Sequence, residues 1–224
     1  MSRAAPHVKG ADMTAEPAQT AATPSVHPGL VLGALALGGF AIGTTEFASM
    51  SLLPHFAKDL GVDAPTAGHA ISAYALGVVV GAPVIAVAAA RWPRRIILIA
   101  LMAVFAVAHL LSAVAPTFGW MIAFRFLSGL PHGAYFGVAA LVAASVAPPN
   151  RRARAVAMVM IGLTVATIVG VPLANVVGQW IGWRWGFVIV AVLAALTATA
   201  VAIYAPREPA DADASPLREL GALA

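Results

Sequence analysis

The chain is predicted to be an all-α membrane protein with six transmembrane helices, and three observations lead there. Of its 224 residues 61% are apolar and only 10% are charged. Its mean hydropathy is +0.89. Its apolar residues gather in six long runs, divided by short turns that carry arginine, proline or glycine. A soluble domain holds about 25% charged residues because its surface must face water. So little charge cannot cover a globule of this size, so the lipid bilayer is expected to solvate much of it.

Residues 1–29 are rich in Ala, Pro, Thr and Ser, with Arg3, Lys9, Asp12 and Glu16 cancelling. This composition reads as a disordered tail. A cleaved signal peptide is not expected, since the next apolar run is too long for one. A spanning helix needs roughly 20 apolar residues at about 1.5 Å each. Six stretches meet that requirement, near 30–53, 66–90, 96–115, 119–146, 155–178 and 183–205, and together they form a transmembrane domain over 30–205. The second and third are parted by Arg91-Trp92-Pro93-Arg94-Arg95, the third and fourth by Pro116-Thr117-Phe118. Pro148-Pro149-Asn150-Arg151-Arg152 parts the fourth from the fifth, and Gly182 the fifth from the sixth. From Pro206 to Ala224 the chain is polar again and is expected to be an extramembrane tail or linker.

The basic residues orient this domain. Arg91, Arg94, Arg95, Arg151, Arg152 and Arg154 follow the second and fourth helices, whereas the opposite loops offer only Lys58 and Arg184. Basic loops stay in the cytoplasm, which puts both termini there and makes the chain a multi-pass protein of the cytoplasmic membrane. The net charge of +4 and the pI of about 10.1 come from these short runs rather than from one basic face, so nucleic acid is not an expected partner. Six helices also divide into two triplets of opposite topology, the arrangement by which many transporters build a midplane site.

Glu46 is the acid that falls within a span. Counted from a cytoplasmic start near Leu30, it lies roughly 7 Å beyond the midplane, and Arg125 of the fourth helix roughly 8–10 Å beyond it on the same side. Each charge costs at least about 2.5–3.5 kcal/mol when central and unpaired, and opposite charges at one depth offset that cost. The functional reading is a proton- or substrate-responsive carboxylate beside a fixed cation. The alternative is that Arg125 snorkels to the outer interface while Glu46 is a packing polarity. His132 shares a helical stripe with Arg125, Gly129, Gly133 and Phe136. That stripe faces a polar cavity, with His132 as proton relay, or forms a packing seam across which the histidine bonds.

Glycine pairs at spacing four, Gly39/Gly43, Gly77/Gly81 and Gly129/Gly133, indicate close helix packing. Tyr74, Tyr135 and Asn175 are possible cavity-lining residues or satisfied packing residues. Trp120, Trp180, Trp183 and Trp185 fall at the predicted outer ends, as interfacial anchors do. There is no cysteine, phosphate loop, His-Glu-x-x-His or other ligand cluster, so no cofactor or metal is expected. Ser128-Gly129 in a fourth helix raises an intramembrane serine protease. No histidine base lies in the sixth helix, however, and a nucleophile without a base is inert. An enzyme is not expected.

Several of these residues carry a resemblance. Gly43-Thr44-Thr45-Glu46-Phe47 with Leu52-Leu53-Pro54, Arg125-Phe126-Leu127-Ser128-Gly129-Leu130-Pro131-His132-Gly133-Ala134, and Trp183-Arg184 followed by Phe187 resemble the drug:proton antiporter branch of the major facilitator superfamily. The likeness is to arabinose and sugar efflux permeases and covers residues 30 to 220, the N-terminal six-helix half. It implies half of a twelve-helix fold with two inverted three-helix repeats. It also implies proton-coupled efflux of a drug or sugar, with protons and a small molecule as partners, Glu46 and Arg125 at the site, and Arg91, Arg94 and Arg95 at a cytoplasmic gate. Two motifs depart from the family pattern. Ala90-Arg91-Trp92-Pro93-Arg94-Arg95 replaces Asp-Arg-x-Gly-Arg-Arg, and Gly170-Val171-Pro172 separates a Gly and Pro that are normally adjacent. Alternating access also needs a missing C-terminal half or a second copy. The other function class is a non-transporting membrane interaction protein or truncated remnant.

Overall fold

The computed structural model describes residues 27–89 and 91–207. Most of both expected tails, 1–26 and 208–224, lies outside the described residues. The elements are α1 (Pro28–Asp59), α2 (Ala64–Ala67), α3 (His69–Ala89), α4 (Arg94–Ala113), α5 (Phe118–Ser145), a 3₁₀ turn (Pro149–Arg151), α6 (Arg152–Val165), a π turn (Ala166–Gly170), α7 (Val171–Trp180) and α8 (Trp183–Tyr204). They make six helical segments long and apolar enough to cross a bilayer, α2–α3 acting as the second and Pro149–Trp180 as the fifth. The chain is all-helical among its described residues.

Four of these segments carry an interior proline, Pro83 in α3 among them. α1 runs past Pro54 to Asp59, beyond the end expected at residue 53. An interior proline removes a backbone donor and costs about 3 kcal/mol. Here Leu52, Phe56 and Ala57 bury against Trp183 and Phe187, and each large side chain returns about 1.5–3 kcal/mol. Packing therefore carries the helix through the proline. Pro131 sits inside α5, which stays helical throughout. In the fifth segment the π turn comes immediately before Val171-Pro172. A wider turn accommodates the carbonyl that a proline ring crowds and the donor it lacks.

The helices pair in a pattern that two equivalent triplets would produce. α3 packs along α5, and its counterpart under exchange of the triplets, α1 against the fifth segment, is also extensive. α4 against α5 is matched by α1 against α8, while α4 against α8 maps onto itself. Small residues make both seams. A Cβ at Gly77 would strike the Phe126 carbonyl, one at Gly81 the Leu130 carbonyl, and one at Gly129 the Tyr74 carbonyl. Across the equivalent seam a Cβ at Gly162 would strike the Ala36 carbonyl, and one at Gly39 would sit 2.9 Å from the Val159 carbonyl. Only glycine allows such backbone approach.

Two further contacts mark opposite ends of the bundle. The Arg184 guanidinium pairs with the Asp59 carboxylate, and Trp183 Nε1 donates to the same oxygen at 3.1 Å, tying the end of α1 to the start of α8. At the other end Arg95 donates to the Ala202 carbonyl in the last turn of α8, where helix carbonyls lack intrahelical partners. Trp183 is a correction to the expected ring of interfacial anchors. It is 5% exposed, packed edge-on to Phe56 and Phe187, because its indole N–H is satisfied by Asp59. Trp120, Trp180 and Trp185 are exposed.

Candidate functional site

Four helices bring polar side chains to one point inside this apolar bundle. Arg125 of α5 is 1% exposed, and its Nη1 donates to Thr45 Oγ1 of α1 at 3.3 Å. His109 of α4 lies 2.8 Å from the same hydroxyl through Nε2, and its Nδ1 is 2.8 Å from the Phe105 carbonyl. The guanidinium stands over the Tyr74 ring of α3 at 4.3 Å and faces the Phe187 ring of α8 at 5.7 Å. The Tyr74 hydroxyl is 2.9 Å from His132 Nδ1, about two turns further along α5.

The enclosure of Arg125 removes the snorkelling alternative: this arginine turns into the bundle. Burying a cation costs several kcal/mol even after relaxation. A desolvated cation–π contact returns about 2 kcal/mol, and a charged hydrogen bond about 1.5–3 kcal/mol. Among the described residues no carboxylate lies within 4 Å of it, the recorded ion pair being Asp59–Arg184. Its positive charge is therefore only partly compensated. Glu46, half-buried, follows Thr45 directly in α1, so the span's carboxylate is one residue from the hydroxyl that holds the guanidinium.

The other expected site residues fall into distinct settings. His132 bonds across the α3–α5 glycine seam, as the packing reading expects, and its ring meets Phe136 edge-on at 5.5 Å. Tyr135 is fully enclosed and donates to the Leu35 carbonyl at 2.8 Å, a satisfied core position. Tyr74 belongs to the polar cluster. Asn175 of α7 keeps a buried Oδ1 with no hydrogen-bond partner. Arg91 is exposed, Arg94 is half-buried, and Arg95 reaches the end of α8 with its Nε buried and unpartnered. The Ser128 hydroxyl is spent on the Arg125 carbonyl at 2.8 Å.

Sequence reasoning missed Thr45 and His109. Histidine in mid-span was a usable signal, since polar groups inside a membrane carry a cost that function usually explains.

The comparisons with known proteins agree with this fold. The Major Facilitator Superfamily profile matches residues 35–223. The chain is 45% identical over 190 residues to the inner membrane transport protein YdhP of Escherichia coli, covering 85% of this chain and 49% of that protein. It is 41% identical over 198 residues to a chloramphenicol resistance protein of Streptomyces lividans, covering 87% and 50%. A probable sugar efflux transporter of Pasteurella multocida is 33% identical over 159 residues, covering 71% and 39%. The fold matches the crystal structure of a bacterial homologue of the human lysosomal transporter Spinster, with TM-score 0.67 at 19% identity, over 84% of this chain and 46% of that one. The chain thus spans about half the length of the relatives it matches. A six-helix, multi-pass membrane chain with two equivalent triplets and a matching profile over most of its length belongs to the Major Facilitator Superfamily.

Proposed function

We propose that this chain supplies the N-terminal half of a proton-coupled exporter of small molecules in the cytoplasmic membrane, working by alternating access. Both termini and the arginine loops face the cytoplasm. Substrate and protons are its small partners, a C-terminal six-helix half or a second copy its protein partner, and it is not an enzyme. The observation that carries this reading is the buried, incompletely compensated Arg125, held by the hydroxyl of Thr45, the residue that precedes Glu46. A carboxylate there exchanges a proton when substrate or a conformational change alters its access to that cation. Relatives named for sugar efflux and chloramphenicol resistance support export as the direction. Arg91, Arg94 and Arg95 orient the chain and contribute to an inner gate, a role that the Arg95–Ala202 bond supports. The spent hydroxyl of Ser128 supports the non-enzymatic reading.

The competing reading is a membrane interaction protein or remnant that folds and inserts without moving solute. Co-expression with the complementary half of the 45% identical relative separates the two. Export driven by a pH gradient in everted vesicles, abolished by Glu46→Gln, is expected. Export unchanged by Glu46→Gln across the pH range rejects the coupling role, and no export from the assembled pair favours the remnant.

A further inference from the structure

The hydrogen-bond directions around His109 assign its tautomer. A carbonyl oxygen only accepts, so the nitrogen 2.8 Å from the Phe105 carbonyl, Nδ1, carries a proton. A guanidinium only donates, so Thr45 Oγ1 accepts from Arg125. The remaining bond, between Thr45 Oγ1 and His109 Nε2, has two possible directions. If Nε2 also carried a proton, a fully enclosed hydroxyl would take two cationic donors. Its own hydrogen would then be left without a recorded acceptor, and an unmade buried bond is costly. With Nε2 unprotonated, every group is satisfied in one direction: Arg125 to Thr45, Thr45 to His109, His109 to Phe105. Among the described residues no carboxylate lies within 4 Å of the imidazole to favour its charged form. Its other neighbours are the Phe105 ring at 4.2 Å and the Phe187 ring of α8 at 6.1 Å.

We infer that His109, as the neutral Nδ1–H tautomer, is a positioning residue for Arg125, taking the Thr45 hydroxyl hydrogen so that the oxygen's lone pair turns to the guanidinium. Among the described residues one hydrogen bond holds the Arg125 guanidinium above Tyr74, and that bond depends on which way the threonine hydroxyl points. His109 thus acts on the cation through a relay and need not touch substrate. The inference deepens the reading of Arg125 given above, but its test involves no transport.

The test uses the whole chain in lipid nanodiscs at neutral pH, with ¹⁵N-labelled histidine and arginine. The His109 ring signals are identified by their loss in His109→Gln, the Arg125 signals by their loss in Arg125→Lys. The expected result is a protonated Nδ1 and an unprotonated Nε2. Thr45→Val, which removes the hydroxyl at nearly constant shape, shifts the Arg125 guanidinium signals. Thr45→Ser keeps them in place, and so does Thr44→Val, whose hydroxyl bonds its own helix at the Phe40 carbonyl. A protonated Nε2 overturns the assignment. Arg125 signals that ignore Thr45→Val, or that move equally with Thr45→Ser, overturn the positioning role. Should a variant fail to fold, the wild-type tautomer still decides. Neither result bears on whether Glu46 couples protons, which the export assay reads separately.

Discussion

Gly129→Ala tests how closely the helices around the site are held. Gly129 faces α3 with no room for a side chain: an added methyl would strike the Tyr74 carbonyl and lie 3.0 Å from both Gly77 Cα and Val78 N. All three are backbone atoms of a packed helix, so none can swing aside as a flexible side chain would. The methyl must push α3 and α5 apart, and overpacking of this kind costs about 1–3 kcal/mol. The same displacement draws Tyr74 away from Arg125 and His132, which lie 4.3 Å and 2.9 Å from its ring and hydroxyl. Gly137 provides the control on the same helix, for a Cβ there meets nothing within 4 Å. Gly137→Ala should be neutral or stabilising, by at most the difference of about 1 kcal/mol in helix propensity. Reversible unfolding in detergent or bicelles measures both changes, and cysteine-free sequence keeps oxidation out of the comparison. If Gly129→Ala is as harmless as Gly137→Ala, the close α3–α5 approach is wrong, and with it the placement of Tyr74 under Arg125.

Three other expectations follow from contacts at the bundle ends and loops. Trp183→Ala empties an aromatic cluster with Phe56 and Phe187 and should cost about 3–5 kcal/mol in the same unfolding assay. Asp59→Asn, which breaks only a half-exposed pair with Arg184, should cost less than about 1 kcal/mol. Asp63 caps α2 by accepting from Thr66 N at 2.9 Å, and hydrogen bonding from Thr66 holds its carboxyl below the usual range. Its capping is then complete above the ordinary carboxylate pKa and fades as pH falls through the lowered value. Protection of the Thr66 amide from exchange, referred to its intrinsic rate at each pH, should fall in acid in the native chain but stay flat in Asp63→Asn, since asparagine caps without titrating.

The broad architecture was legible because the bilayer imposes a length and a polarity on every crossing segment. Hydropathy and arginine-bearing turns were enough to locate all six spans. What escaped was information held by facing surfaces. Pro54 looked like a stop, yet α1 continues because Phe56 and Ala57 find a pocket against α8 that no local pattern shows. Trp183 looked like its exposed neighbour Trp185, and partners far off in sequence, Asp59 and Phe56, distinguish them. The two triplets show no clear residue-level identity along the chain. The structure shows that small residues four apart, Gly39/Gly43 facing Gly162/Ala166 and Gly129/Gly133 facing Gly77/Gly81, occupy corresponding seams. Glu46 and Arg125 were visible as charges among apolar residues. The hold on Arg125 was not, because it runs through Thr45, a residue too common in helices to attract notice, and on to His109.

The most direct test of the account is which side of the membrane each loop occupies. The chain has no cysteine, so single cysteines can be placed at Trp92 and Asn150 in the arginine-bearing turns, and at Ala64 and Pro116 near the opposite ones. An impermeant thiol reagent added to intact cells should label Ala64→Cys and Pro116→Cys. It should reach Trp92→Cys and Asn150→Cys only in everted vesicles. Labelling of all four positions from one side would contradict the six-span arrangement on which the site and its proposed role both rest.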